Sequence, residues 1–211
     1  IDRKKIKQIT PGVDKETFMC DKNQKRENIL LSIGRIQEQK GQINVLRFLN
    51  NFKKVDTNFL CYFIGGPSGK SGDEYLTELE GAVKELNLES NVKFLGNQTQ
   101  IEIKELMNKA KLLIHTSQFE TFGLVAIEAN TMGIPVLTTN KGSLTEIIKS
   151  NFNGFLAEDL IDGQVNNFVK GILNDDKYFE QIKVNCFEKS EKFDWHNTAV
   201  EIENLYKSVL I

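Results

Sequence analysis

A chain of 211 residues is long enough for one large α/β domain with a substantial core. Its 40% apolar and 27% charged residues are ordinary for a globular protein, and exclude a disordered or fibrous chain. Lysines and acids nearly cancel to a net charge of −2, which gives no electrostatic reason to bind nucleic acid or an anionic membrane.

In chain order, the Lys/Asn/Gln-rich stretch from Asp21 to Asn28 predicts a solvated loop. Ile29–Ile33 reads as a strand, followed by a helix with Val45, Leu46, Leu49 and Phe52 on one face. Phe59–Ile64 is the next strand, before a helix striped by Tyr75, Leu76, Leu79, Ala82, Val83 and Leu86. Val92–Leu95 precedes a helix with Ile103, Leu106 and Met107. Leu112–His115 leads to a helix opened by Gly123 and Leu124, carrying Glu128 and stopping near Gly133. Pro135–Thr138 is a further strand, and Ser143-Leu144-Thr145-Glu146 has the spacing of a capping box. Asn153-Gly154 predicts a turn before the short strand Phe155-Leu156. The rest is helical: Val165, Phe168, Val169, Ile172 and Leu173, helix-start punctuation at Asp175-Asp176, and a terminal helix over 194–211 with the stripe Ala199, Ile202, Leu205, Tyr206 and Val209.

Near-continuous apolar strands separated by helices predict a single α/β domain over 1–211, with a parallel sheet covered on both faces and extra C-terminal helices. Ligands of such sheets bind beyond the carboxyl ends of the strands. Arg35, Gly65, Gly96, Ser117 and Glu120 all follow strands on that one edge.

Glu120 and Glu128 carry the most information. A loop places Glu120 just before the Gly123-Leu124 helix start, and Glu128 lies about one turn inside. Unpaired N–H groups and the helix dipole make that end an anion site, so the pair suits a ligand with phosphate in the middle and hydroxyl-rich groups on either side. A nucleotide-sugar is such a ligand. The plainer account is a loop acid and a surface acid. It fits Glu128 poorly, because Val125, Ala126, Ile127 and Ala129 surround it and an unpaired buried carboxylate is costly.

Arg3, Arg26, Arg35 and Arg47 are the only arginines from which a phosphate ligand could come. Gly34-Arg35 ends the first strand and Lys40-Gly41 opens the next helix, where two cations could neutralise a diphosphate. Read alone, this is more simply a surface arginine and a lysine on a polar turn, because short basic motifs match often by chance. Gly65-Gly66-Pro67-Ser68-Gly69-Lys70-Ser71 is not a P-loop, because the required first glycine is Ile64. His115 reads as a packed or hydrogen-bonded residue at a strand end, and His196 as a helix-start residue beside Trp195. No Ser-His-Asp set, metal cluster or Asp-x-Asp signature emerges. Cys20, Cys61 and Cys186 are odd in number and widely spaced, which argues against disulfides and zinc and for a cytoplasmic location, with Cys61 a core residue. No apolar run approaches the ~18 residues of a membrane span. Ile1 opens a Lys-rich segment without Met, as expected for part of a longer protein.

With these residues in view, the chain resembles the C-terminal half of a glycosyltransferase family 4 enzyme of GT-B fold. The likeness runs through Thr10-Pro11-Gly12-Val13-Asp14, Ser32-Ile33-Gly34-Arg35 with Lys40-Gly41, and Phe94-Leu95-Gly96. It continues in Ser117, Glu120, Phe122-Gly123-Leu124, Glu128-Ala129, Gly133-Ile134-Pro135-Val136 and Asn153-Gly154-Phe155. It implies a Rossmann-like nucleotide-sugar-binding domain of a retaining hexosyltransferase, working in glycan or cell-surface polysaccharide synthesis. By that resemblance Arg35 and Lys40 hold the diphosphate, helped by backbone N–H groups of Phe122, Gly123 and Leu124. Glu120 binds the donor sugar, Glu128 the ribose, and Leu95, Gly96 and Gln98 lie near the base. No metal or other cofactor is implied; the donor is a nucleoside-diphosphate sugar, with UDP the expected nucleotide. The acceptor, a glycan, lipid or protein, would be held by the N-terminal domain, which this chain lacks; the fragment alone is expected to be inactive, and the full-length enzyme could associate peripherally with a membrane. Pro11 and Thr116 depart from the family's common Asn and Pro, and Thr121 from a frequent glycine near the donor sugar. A non-catalytic module that kept the fold and a GT-B nucleotide-sugar epimerase are the rival readings.

Overall fold

Leu30 and Leu31 are fully buried although they point to opposite sides, which happens only where a strand is covered on both faces. Their side chains join two different cores. The computed structural model describes residues 6–21 and 24–209. It contains strands β1 (Ile29–Ile33), β2 (Leu60–Ile64), β3 (Val92–Gly96), β4 (Leu112–His115), β5 (Val136–Thr139) and β6 (Gly154–Ala157). Between and after them come α1 (Gln42–Phe52), α2 (Gly69–Glu85), α3 (Gln100–Lys109), α4 (Leu124–Thr131), α5 (Leu144–Ile147), α6 (Gly163–Asn174), α7 (Asp176–Ser190) and α8 (Trp195–Val209).

The six strands form one sheet in the order β3-β2-β1-β4-β5-β6, every neighbouring pair parallel. The expected α/β, Rossmann-like layout is therefore present. Its helices divide by face. Val45, Leu46 and Phe52 of α1, Leu79 of α2 and Val169 of α6 pack with Leu112, Ile114 and Leu137. Met107 of α3, Ala126 and Ile127 of α4, and Leu144 of α5 pack with Leu113 and Val136 on the other side. Cys61 is a fully buried core thiol, and all three cysteines are free.

The order reverses at β1. Strands β2 and β3 build outward on one side, then the chain returns to lay β4 on the other. β1 pairs with β4 through Leu30↔Leu112 and Leu31↔Leu113, whereas it pairs with β2 over all five positions from Ile29 to Ile33. Past Leu31, β1 and β4 form no further pair, and in sheets of this kind the reversal of strand order leaves a crevice at the carboxyl edge.

Local chemistry differs from expectation at four places. Residues 21 and 24–28 do form a loop, yet Arg26 in it is only 9% exposed. Its guanidinium donates to the carbonyls of Met107, Ala110 (3.0 Å) and Met132 (2.6 Å), tying together the C-terminal ends of α3 and α4. Those ends carry unpaired carbonyls and partial negative charge, which explains why a cation is drawn inward. Ser143 does not cap α5: its own backbone is helical and its hydroxyl donates to the carbonyl of Glu120 at 3.0 Å. The reciprocal box occurs at Thr99 and Glu102, ahead of α3. Gly154 lies inside β6, and the left-handed turn residue is Asn151, with φ 59°. Finally, α8 buries only Thr198, so its stripe of Ile202, Tyr206 and Val209 faces solvent; residues 210 and 211 of the expected 194–211 helix lie outside the described residues, as does Arg3. No helix among the described residues is long and apolar enough to cross a membrane.

Candidate functional site

Two loops meet over the crevice. The first leaves β1 through Gly34 and Arg35, makes a 3-10 turn over Glu38–Lys40 and enters α1 at Gly41. The second leaves β4 through Thr116 and reaches α4 at Gly123. They are bonded to each other: the Thr116 hydroxyl donates to Gly41 O (2.8 Å), and the Gln118 N–H and Ser117 hydroxyl donate to Gln39 O (2.8 and 3.3 Å). Gly41 has φ 68°, and a Cβ there would stand 2.5 Å from Thr116 O, so only glycine lets the loops approach this closely.

Glu120 is the centre of the second loop. Its Oε2 lies 3.0 Å from His115 Nε2 and 3.2 Å from Lys40 Nζ, while Oε1 accepts the Gly123 N–H at 3.1 Å. Three donors thus converge on one largely buried carboxylate. The His115 hydrogen bond above all, with Lys40 beside it, outweighs desolvation and holds Glu120 down to about 2. The bond from Gly123 means that Glu120 itself occupies part of the anion-binding end of α4.

Glu128 is the opposite case. It lies one turn into α4, half-buried, with a carboxylate that makes no hydrogen bond or ion pair among the described residues. Burial alone pushes it up to about 7. A helical side chain leans toward the helix N-terminus, the end of α4 at which Glu120 sits.

The remaining residues line the same edge. Arg35 is exposed and has no ion pair among the described residues; its carbonyl accepts a 2.8 Å bond from Gln42 Nε2. Leu124 is 43% exposed at the start of α4. The Phe122 ring packs edge-on against Phe193 at 6.4 Å, which leaves the backbone as its polar offering to a ligand. Leu95, Gly96 and Gln98 form the rim beyond β3: Gly65 N–H donates to Gly96 O (2.8 Å) and Gln98 Nε2 to Leu95 O (2.8 Å). Lys70 sits in the first turn of α2, 92% exposed and 3.9 Å from Glu74. Arg26 is committed to helix ends and leaves the list of phosphate ligands. A cavity of about 430 Å³ near the 3-10 turn is lined by Glu38, Glu74 and Glu78, the wrong sign for a diphosphate. Gln42, Thr116 and Ser143 hold the site loops through contacts that no local motif announces.

Gly123 has φ 83°, and a Cβ there would meet Leu144 Cδ2 at 2.4 Å. Gly123→Ala is expected to cost about 2 kcal/mol or more, from the left-handed backbone and the clash together. Urea denaturation measures this, and a loss under ~0.5 kcal/mol would show that the loop tolerates a side chain.

Comparison with known proteins bears on the family and the fold. A family model described as glycosyl transferases group 1 matches residues 14–188. An uncharacterised glycosyltransferase of Methanocaldococcus jannaschii is 33% identical over 185 residues, covering 86% of this chain and 45% of its own length. A D-inositol 3-phosphate glycosyltransferase of Corynebacterium kroppenstedtii is 26% identical over 214 residues, covering 97% of this chain and 46% of its own. The chain spans about half the length of the curated relatives it matches. The structure of Anabaena HepE in complex with UDP and glucose superposes with a TM-score of 0.82 at 24% identity, over 96% of this chain and 56% of that one.

Proposed function

Because this chain belongs to the glycosyl transferases group 1 family, we propose that it is the donor-binding half of a retaining glycosyltransferase of GT-B fold, acting in the cytoplasm on a nucleoside-diphosphate sugar. The observation that supports the reading is Glu120 at the start of α4, bonded there to Gly123 N–H and to Lys40 of the other loop, with Glu128, which has no partner among the described residues, one turn further into the same helix. The cations take the diphosphate, Glu128 the ribose hydroxyls and Glu120 the hydroxyls of the sugar, with the base on the rim at Leu95, Gly96 and Gln98.

In the transfer, the bond between the anomeric carbon and the diphosphate oxygen breaks while an acceptor hydroxyl bonds to the same face of that carbon. The hydroxyl proton passes to the departing phosphate. Arg35 and Lys40 stabilise the charge that builds on the leaving group, and no metal is called on for that role. The acceptor is bound by another part of the full-length protein, whose product is a glycan or polysaccharide. UDP is the first nucleotide to test, since HepE of the same fold is in complex with UDP and glucose.

Calorimetric titration with UDP, GDP and ADP tests the site. The chain should bind a nucleoside diphosphate and transfer no sugar by itself. Charge-assisted bonds contribute roughly 1.5–3 kcal/mol, so Arg35→Ala should weaken binding about tenfold or more. Lys70→Ala should leave it unchanged. The reverse result would put the diphosphate at the glycine-rich turn after β2 and overturn the assignment.

A further inference from the structure

We propose that His115 is a positioning residue for Glu120, keeping that carboxylate in place when Lys40 leaves it for the donor diphosphate. The inference rests on the donor-site reading above. Its basis is an asymmetry between the two groups that share Glu120 Oε2. Lys40 reaches the carboxylate at 3.2 Å from a different loop, through a long stem, and its side chain is 25% exposed. An ammonium of this kind exchanges partners readily, and an incoming diphosphate at the same helix start offers it more negative charge. His115 reaches the same oxygen at 3.0 Å, is 5% exposed, and is the last residue of β4, in register with Thr138 of β5. A ring fixed on a central strand cannot follow a ligand.

Once Lys40 moves to phosphate, Glu120 keeps two anchors, His115 on Oε2 and the Gly123 N–H on Oε1. The His115–Glu120 hydrogen bond then decides where the carboxylate points. A contact to the donor sugar depends on that direction, whereas binding of the bare nucleotide does not. Among the described residues, Lys40 and His115 are the ionisable groups that pair with Glu120. His115 therefore acts through Glu120 and touches no substrate atom.

The test compares His115→Leu, which removes the donor, with His115→Gln, whose amide can donate from nearly the same place. Calorimetry on each, and on the wild-type chain, uses UDP, UDP-glucose and UDP-N-acetylglucosamine, with melting temperatures taken first. Wild type should prefer one sugar nucleotide over UDP. His115→Leu should reduce that preference about tenfold while UDP affinity changes by no more than about threefold, and His115→Gln should restore most of the preference. A purely structural role would lower affinity for all three ligands in step. Histidine-selective ¹⁵N spectra of the unmutated chain give a second readout, because His115 and His196 are the only histidines. UDP should move the His115 ring signals as Lys40 departs, and leave those of His196 in place. A wild-type preference retained in His115→Leu, or His115 signals that ignore bound UDP, would overturn the role of His115 alone. Failure of the wild-type chain to bind any of the three ligands would overturn the donor-site reading, and this inference with it.

Discussion

Replacing Arg26 with leucine is expected to lower the unfolding free energy by about 3 kcal/mol or more, a large share of the total stability of a domain. The guanidinium answers carbonyls at the ends of two helices, from Met107, Ala110 and Met132, and also approaches Cys20 Sγ at 3.1 Å. Leucine fills part of the space but donates nothing, so the Ala110 and Met132 carbonyls lose this donor, while Met107 O keeps the Ala110 N–H at 3.3 Å. Each unsatisfied group costs roughly 1–3 kcal/mol, less whatever water can reach. Lysine should recover only part of the loss, because a single ammonium cannot span acceptors that the planar fork reaches together. Urea denaturation of Arg26→Leu beside the exposed Arg35→Leu decides the matter: similar small effects would mean that Arg26 merely rests on the helix ends.

Glu128→Gln is expected to stabilise the fold near pH 8 and to weaken nucleotide binding about tenfold, two effects of opposite sign from one substitution. Glu128 sits at about 7 in the fold against 4.5 when free. The folded chain therefore takes up a proton between these values, and stability falls as pH rises from about 4.5 to 7, by up to about 3 kcal/mol. Glutamine removes that dependence. Glu120 works the other way. Held near 2 against 4.5, it adds stability that is present above about 4.5 and is lost as pH falls toward 2. Stability of the wild-type chain should peak around pH 5, and Glu128→Gln should flatten the decline on the neutral side only. Ribose hydroxyls donating to the carboxylate favour its ionised form, so nucleotide binding should release a proton near neutrality. The heat of UDP binding should then vary with the ionisation enthalpy of the buffer in wild type and not in Glu128→Gln. A glutamine variant that is less stable at pH 8, or one that binds UDP as tightly as wild type, would show that the carboxylate has another task.

The sequence could reveal both glutamates because their signal is local. An apolar run, a glycine and a second apolar run specify strand, left-handed turn and helix, and a carboxylate among Val125, Ala126 and Ile127 is conspicuous without any tertiary knowledge. The strands of the sheet were legible for the same reason: they are short, nearly continuous apolar runs. What could not be read depended on distant partners. Arg26 is one cation in a polar stretch until α3 and α4 bring their last carbonyls beside it. Ser143 has the spacing of a cap, but a carbonyl 23 residues earlier takes its hydroxyl. His115 is close to Glu120 in sequence, yet whether a strand-end ring turns toward the loop or into the core is fixed by packing on both sides of β4.

The reversal of strand order at β1 has a kinetic side. Residues from β1 to α3 can assemble β3, β2 and β1 with local βαβ connections, and those from β4 onward can assemble β4, β5 and β6 in the same way. Between the two assemblies the sheet is joined by the Leu30↔Leu112 and Leu31↔Leu113 pairs, and beyond them the crevice begins. Lys40 belongs to the earlier assembly, Glu120 and Glu128 to the later one. The constellation is thus created by docking rather than by either segment, and loop-closure entropy must be overcome before it exists. A ligand held from both sides is a rivet across the thinnest seam of the sheet, so occupancy would act chiefly by slowing the parting of the two assemblies.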